Sequence, residues 1–512
     1  MIFPEFDQFA ALAASGAAQS NFIPVYQEWV ADLDTPVSAW QKVCSGSPYS
    51  FLLESVEGGE KVGRYSLLGC DPLWILEARG DRVIKMHRDG QVEEFQGNPL
   101  EILTQCLADY HPVKLPMLPA GIGGLFGFWG YELIKWIEPS VPVHAAQEND
   151  LPDGCWMQVD HLMIFDQVKR KIFAVAYADI RSAKGDLKLA YQQAIDRVQS
   201  LVDRLQKPTQ QQFLKWQPPS PAVKTTELPP NYRSNTSKEE YCASVEAAKE
   251  YIRAGDVFQV VVSQRLTTDF GGKPFDLYRS LRLVNPSPYM AYFNFKDWQI
   301  IGSSPEVMVK AENNGDGTKV TLRPIAGTRP RGATPQQDDE LAMELLADPK
   351  EVAEHVMLVD LGRNDLGRVC VSGTVQVDEM MSIERYSHVM HIVSNVVGEL
   401  APDKTAWDLL EACFPAGTVS GAPKIRAMEI IHELEGCRRS LYSGVYGYYD
   451  FEGQLNTAIT LRTMVVRSTA AGHEVSVQAG AGLVADSDPV TEYEETLNKA
   501  KGLLEAIKCL IA

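Results

Sequence analysis

The feature that most constrains this chain lies beyond Gly255. Strand-like runs follow one another there at 258–266, 290–295, 299–303, 319–323, 386–398, 445–451, 456–467 and 474–480, and they are not regularly separated by helices. Parallel neighbours need long crossover connections, usually helical. A doubly wound parallel fold is therefore disfavoured, and the pattern predicts an α+β chain with helices packed on large mixed or antiparallel sheets. Two helices are expected at about 338–347 and 350–361.

Between Gln206 and Pro230 the sequence turns to Gln and Pro, a composition that cannot bury a core. This predicts a linker at 206–236 between an N-terminal domain, 1–205, and a C-terminal domain, 237–512, in a chain whose 512 residues suit two or three domains. The N-terminal part mixes short strand-like runs (65–68, 73–77, 161–165, 172–177) with a polar helix at about 186–205. The second part opens on a capping box, Ser237 to Glu240, followed by Tyr241, Val245, Ala248 and Ile252 at helical spacing and a stop at Gly255. Neither part repeats itself.

Charge narrows the function classes. With 48 Lys and Arg against 67 Asp and Glu the net charge is -19, which repels nucleic-acid backbones and anionic membrane surfaces, so neither is expected as a partner. The first basic residue is Lys42, so no leader peptide is expected, and no apolar run approaches the ~18–20 residues of a membrane span. Nine cysteines are spread singly with no C-x-x-C pair, the pattern of reduced thiols, and the cytoplasm is the expected compartment.

Three constellations can carry chemistry. Asp348-Pro349 starts a helix that sets Glu351 and Glu354 on one face, and the C-terminal helix repeats the device with Glu492 and Glu495. Two acidic faces meeting would make an oxygen-only site suited to Mg²⁺; on spacing alone solvated helix faces are the favoured reading, since E-x-x-E is common on exposed helices. The second is the 414–424 loop, FPAGTVSGAPK, where Gly417 and Gly421 permit close backbone approach and Pro423 opens a helix to Gly436, with Thr418, Ser420 and Lys424 nearby to meet an anion; it reads equally as a tight loop before a core helix. No Walker A or G-x-G-x-x-G pattern accompanies it. The third is Arg462, which strand alternation places on one face with Ala458 and Thr460, either an exposed charge or a carboxylate clamp, close to the small QAGAG run at 478–482. His388 and His391 stand three apart on a strand, so they are not co-ligands.

These strings, with GDVFQVV at 255–261, SPE at 304–306, RPIAGT at 323–328 and EHVMLVDLGRNDLGR at 354–368, resemble the chorismate-utilising enzymes from about Ser237 to the C-terminus. Within that family the chain looks like the anthranilate-forming branch, for LLES at 52–55 and PSPYM at 286–290 are similar to its tryptophan-site segments. The resemblance implies the chorismate-binding-enzyme fold and a two-stage reaction. Ammonia adds at C2 of chorismate with loss of the C4 hydroxyl, and pyruvate is then eliminated to leave anthranilate. It implies Glu354 and Glu495 as Mg²⁺ ligands with Glu351 and Glu492 outside them. Tyr442, Arg462 and the backbone of Gly480, Ala481 and Gly482 would hold the enolpyruvyl carboxylate, and Gly327 and Thr328 would line the ring pocket. Glu306 is the implied acid for the departing hydroxyl, and His391 and Thr418 are implied in the elimination. Tryptophan would bind at Ser55, Pro288, Tyr289 and Met290. Related branches use a Lys at the positions of Ala326 or Gln259; an amide cannot deprotonate water, which points to ammonia as nucleophile. The alternatives are aminodeoxychorismate synthase component I and a silent tryptophan-binding regulator, the latter disfavoured by the intact acidic quartet. None of the cysteines sits in the Gly-rich elbow of a glutaminase, so the implied ammonia source is a separate glutamine amidotransferase subunit.

Overall fold

The structure is a computed structural model that describes residues 2–15, 20–56, 64–119, 121–147, 150–208, 213–218, 231–313, 315, 317–386, 389–470 and 472–510. Its frame is two large sheets, one of 13 strands and one of 12, and every pairing between named strands is antiparallel. Both sheets mix strands from either side of the predicted linker. In the larger sheet Tyr49–Glu54 pairs with Tyr289–Phe295, and in the smaller Gly124–Trp129 pairs with Val445–Asp450. The break at 206–236 therefore divides the chain but not its sheets.

Three apolar clusters set the layers. One holds residues of both sheets, with Phe51 and Phe293 of the larger beside Phe126 and Ala458 of the smaller, and the Phe51 and Phe126 rings stack at 4.0 Å. The second joins the other face of the larger sheet to helices such as Leu187–Gln206, Lys238–Ala254 and Pro489–Lys508. The third joins the smaller sheet to helices including Pro349–Gly367 and Ala406–Cys413. The order is helices, sheet, sheet, helices, so strands in the middle layers bury both faces and lose the simple alternation that marks a half-exposed strand.

Local chemistry starts the helices where the sequence says. Ser237 and Glu240 close a reciprocal capping box, and Gly255 ends that helix in the left-handed region at φ 86°. Asp348 and Asp488 cap the two Asp-Pro helices, Pro349–Gly367 and Pro489–Lys508. The first runs six residues beyond the predicted end at 361, because Leu366 continues the buried stripe begun by Leu358.

The expected strand 456–467 is corrected. Leu455–Ile459 belongs to the smaller sheet and Thr463–Thr469 to the larger, and the chain crosses between them at Thr460–Arg462. Arg462 turns the corner with φ 46°, a strained value for a side-chain-bearing residue. The pattern reads as one strand because each piece is apolar on its outer, helix-covered face, Leu455 and Ile459 in the first and Met464 and Val466 in the second. Trp298–Ser304 and Val307–Asn313 make a second crossing, with Glu306 at the corner. Strands that switch sheets through such bends build the corners of a packed sheet pair.

Candidate active site

The two crossings run side by side. Ser303 N–H donates to the Arg462 carbonyl at 3.1 Å, Ile459 N–H to the Glu306 carbonyl at 3.0 Å, and the Ser304 hydroxyl to the Ile459 carbonyl at 2.6 Å. Backbone bonding thus fixes Glu306 and Arg462 relative to each other. Glu306 is 4% exposed. Burial pushes its carboxyl up to about 8, against the opposing pull of the Thr418 hydroxyl and the Ile325 N–H that donate to it. Thr418 donates to Oε1 at 2.8 Å, which leaves Oε2 to carry a proton.

His391 stands on Val389–Glu399 opposite Thr328, next to a bulge at Ala326–Thr328. Its Nδ1 lies 3.1 Å from the Gly327 carbonyl and 3.0 Å from the Thr328 hydroxyl. A carbonyl can only accept, so Nδ1 carries the hydrogen and Nε2 keeps the lone pair. Burial, reinforced by the Arg462 charge, lowers the imidazole to about 4, so it is neutral around pH 7. Gly327 has φ 73°, and a Cβ there would meet Glu351 Oε2 at 3.1 Å. Arg462 is half-buried, its guanidinium pKa is lowered by burial, and no carboxylate pairs with it among the described residues. A half-buried guanidinium with no carboxylate partner among the described residues calls for an anion.

The acidic helices meet at a glycine floor. Glu354 Oε1 accepts from the Gln259 side-chain amide at 3.0 Å, and a Cβ on Gly482 would sit 2.6 Å from that amide nitrogen and 4.0 Å from the carboxylate. Glu495 pairs with Lys499 at 2.7 Å, and Lys499 also donates to the Gly480 carbonyl at 3.1 Å. Lys350 and Asp486, at 3.7 Å, bring the two helix starts together. The Tyr442 hydroxyl presses on Gly480, where a Cβ would be 2.7 Å away. Ala481, between the two glycines, is buried. The quartet is not uniformly buried. Glu492 is 9% exposed and bonded by Ser487 at 2.7 Å, and burial raises its pKa. Glu351, Glu354 and Glu495 are half-buried.

Glu351 is held by Arg329 at 3.1 Å and Glu492 by Ser487, while Glu354 bonds to Gln259 beside Gly482 and Glu495 shares Lys499 with the Gly480 carbonyl, which sets these two beside the glycine floor. Among the described residues no three His, Cys, Asp or Glu side chains gather closely enough to cage a metal. Glu354 and Glu495 offer only carboxylate oxygens, the donor type that Mg²⁺ takes, and by that chemistry they would suit the ion.

At the 414–424 loop the expectation of an anion-binding helix start is corrected. Lys424 is committed to Asp365 at 2.8 Å and to the Cys413 carbonyl at 2.9 Å, and the Ser420 hydroxyl donates to the Ala416 carbonyl at 2.9 Å. Thr418 alone points toward the site, onto Glu306. His388 lies outside the described residues.

The segments around Ser55 and Pro288–Met290 converge although they are far apart in the chain. Met290 pairs with Glu54, Val56 N–H donates to the Ser287 carbonyl at 3.4 Å, and the Ser55 hydroxyl is buried with no partner among the described residues. Tyr446 ties this place to the catalytic corner, because its hydroxyl donates to the Tyr289 carbonyl at 2.8 Å and accepts from Ser304 N–H at 3.1 Å. Sequence reading missed Tyr446, whose position in an ordinary strand gave no signal. It missed Arg439 as well; this buried residue pairs with Glu435 at 2.6 Å and donates to the Val419 and Val261 carbonyls, fixing the loop that carries Thr418 against the strand that carries Gln259.

The chain is similar to known proteins over nearly its whole length. The family model for chorismate binding enzymes matches residues 50–505. The anthranilate synthase component 1 of Synechocystis sp. is 68% identical over 515 residues, with 100% of both chains covered, and that of Acetivibrio thermocellus is 45% identical over 514 residues, with 99% of both covered. Among solved structures, anthranilate synthase component I from Streptococcus pneumoniae superposes with a TM-score of 0.72 at 36% identity, over 87% of this chain and 95% of that one. The menaquinone-specific isochorismate synthase of Escherichia coli shares the fold, with a TM-score of 0.68 at 18% identity over 98% of each chain. On a match that begins well before the linker and continues almost to the last residue, the chain belongs to the chorismate-binding enzymes, in the anthranilate synthase component 1 family.

Proposed function

We propose that the chain converts chorismate and ammonia to anthranilate and pyruvate, as the large subunit of an anthranilate synthase in tryptophan formation. The observation that carries this reading is the Gln259 amide donating to Glu354 at 3.0 Å. An amide in that place positions a carboxylate but cannot take a proton from water, so the nucleophile must arrive as a base in its own right, as ammonia does. Ala326 likewise offers no amine for covalent attack.

Chorismate carries two carboxylates. Arg462 and Tyr442 hold the one on the enolpyruvyl group, with the Gly480–Gly482 backbone beneath it, while Glu354 and Glu495 face the one on the ring. A Mg²⁺ ion bound between those glutamates would neutralise the ring carboxylate and fix the ring. Gly327 and Thr328 border the ring. Glu306, protonated near neutrality, hands its proton to the C4 hydroxyl as the C–O bond breaks and ammonia adds at C2. His391 Nε2 then removes the C2 proton as pyruvate leaves and the ring becomes aromatic; Thr418 keeps Glu306 oriented. Tryptophan binds where Ser55 meets Pro288, Tyr289 and Met290, and the Tyr446 bridge gives it a route to the Glu306 corner.

Ammonia in vivo is supplied by a glutamine amidotransferase partner, the component II implied by the relatives' names. No helix among the described residues is long and apolar enough to cross a membrane, in keeping with work in the cytoplasm. The test is incubation of the purified chain with chorismate, Mg²⁺ and ammonium, read by anthranilate fluorescence, with glutamine replacing ammonium in a second arm. Anthranilate from ammonium alone, and from glutamine only once the partner is added, is the expected result. Isochorismate or 4-amino-4-deoxychorismate as main product overturns it.

A further inference from the structure

Tyr442 stands in the irregular connection between the helix Lys424–Glu435 and the strand Val445–Asp450. Two of its neighbours, Ser440 at φ 57° and Ser443 at φ 66°, are held in the left-handed region. Residues with side chains stay there only where their surroundings fix them from several sides. For Ser443 those surroundings belong to the C-terminal part: its N–H donates to the Thr460 carbonyl at 3.3 Å, and its hydroxyl accepts from Arg439 at 3.0 Å. For Ser440 they come from the other side of the linker.

The turn Tyr131–Leu133 follows the strand Gly124–Trp129 and grips the Ser440 backbone on both sides. Tyr131 N–H donates to the Ser440 carbonyl at 2.7 Å, and the Glu132 carboxylate accepts from Ser440 N–H at 3.1 Å. With both backbone groups held, the direction in which the chain leaves toward Tyr442 is set. Gly130 completes the fit, because a Cβ there would lie 2.7 Å from the Ser440 carbonyl oxygen. Glu132 is 3% exposed; burial raises its pKa, helped by Asp153 and opposed by Arg438 and the Ser440 N–H. A carboxylate in so dry a place needs a partner. Arg438, at 3.6 Å and also held by Asp153, supplies the charge. The Arg439 guanidinium lies 5.1 Å from the Tyr131 ring centroid and 5.4 Å from that of Tyr442, so the two rings share one cation.

We infer that Glu132 is a positioning residue of the site: by holding Ser440 it aims Tyr442 at the glycine floor, so that the N-terminal part builds one wall of the pocket. The inference rests on the role proposed for Tyr442 and assigns its support to a residue 308 positions before Ser440. Loss of this hold loosens the turn and weakens the grip on chorismate. Glu306 and His391 keep their own bonds to Thr418 and Gly327, so the acid and the base stay in place.

The test compares Glu132→Leu with Glu132→Gln in the full chain. Leucine removes the acceptor for Ser440 N–H, whereas glutamine keeps a carbonyl oxygen at the same reach. Hydrogen exchange of the 440–444 amides is followed without ligand, chorismate affinity by isothermal titration with Mg²⁺ and no ammonia, and turnover with ammonium. In Glu132→Leu exchange should quicken and chorismate bind more weakly, each by about fivefold or more, the worth of one hydrogen bond. KM should rise with kcat within about twofold of wild type. Glutamine should restore exchange, affinity and KM. Gly130→Ala pushes on the Ser440 carbonyl without removing a charge, and the same losses are expected of it should leucine prevent folding, which thermal melts report. Unchanged exchange in Glu132→Leu overturns the inference, as does faster exchange with unchanged affinity. Equal losses in leucine and glutamine overturn it too, since they would follow the missing charge and not the acceptor. A wild type that binds no chorismate sinks the proposed reaction and this role with it; the other outcomes leave that reaction standing.

Discussion

Replacing Glu306 by Gln should stabilise the protein at neutral pH while abolishing most of its activity. The carboxyl is 4% exposed and is pushed by burial from 4.5 to about 8. Between those values the folded chain retains a proton that an unfolded glutamate releases, so the folded state binds more protons and stability falls as pH rises. At about 1.4 kcal/mol per pH step, the wild type loses about 3 kcal/mol between pH 4.5 and pH 7 that the glutamine variant does not, and the loss levels off near pH 8. Glutamine keeps the volume and an acceptor for Thr418 but has no acidic proton for the C4 hydroxyl. The assay is urea denaturation of both proteins at half-unit steps from pH 5 to 9, with anthranilate formation followed on the same samples. The stability difference should grow in favour of the variant up to about pH 8, while turnover drops by at least ~10²-fold, the usual range for a lost general acid. A pH-independent stability difference would falsify the raised acidity of Glu306, and a variant with near-normal turnover refutes its role.

Three further outcomes follow from the same geometry. Glu354→Gln and Glu495→Gln should each lose most activity and keep the fold, since both carboxylates are half-buried groups facing the glycine floor; near-normal turnover in either at saturating Mg²⁺ removes the metal assignment. Gly482→Ala places a methyl 2.6 Å from the Gln259 amide, so the amide must leave Glu354, and turnover should fall by about tenfold or more with a melting temperature within a few degrees of wild type; unchanged kinetics would show that the Gln259–Glu354 contact is idle. Ser55→Phe should relieve tryptophan inhibition with uninhibited turnover nearly intact, because the Ser55 hydroxyl lies buried and unpartnered beside the 288–290 segment; a wild type indifferent to millimolar tryptophan disposes of the site.

The sequence alone determined what depends on neighbours along the chain. The Ser237–Glu240 capping box, the two Asp-Pro helix starts and the stops at Gly255 and Gly436 are local hydrogen-bonding and φ preferences, and each appears where the residues dictate. The i, i+3 carboxylates and the ordered family strings were legible for the same reason. Seven strands of the first 160 residues were not; Phe22–Val30 and Gly124–Trp129 were hidden because middle layers bury both faces and erase the period-2 pattern. Only tertiary structure decided where the chain changes sheets. Nothing local distinguishes the corner at Arg462 from the middle of a strand; it is a corner because Ser303 bonds to Arg462 and Ile459 to Glu306, joining two crossings that are far apart in the chain. That packing also buries Glu306 deeply enough to change its acidity, leaves Arg462 with no counter-ion among the described residues and sets Gln259 on Glu354. The chemistry of each side chain was written in the sequence, but its protonation and its partners depend on how much water the fold removes and what it puts in water's place.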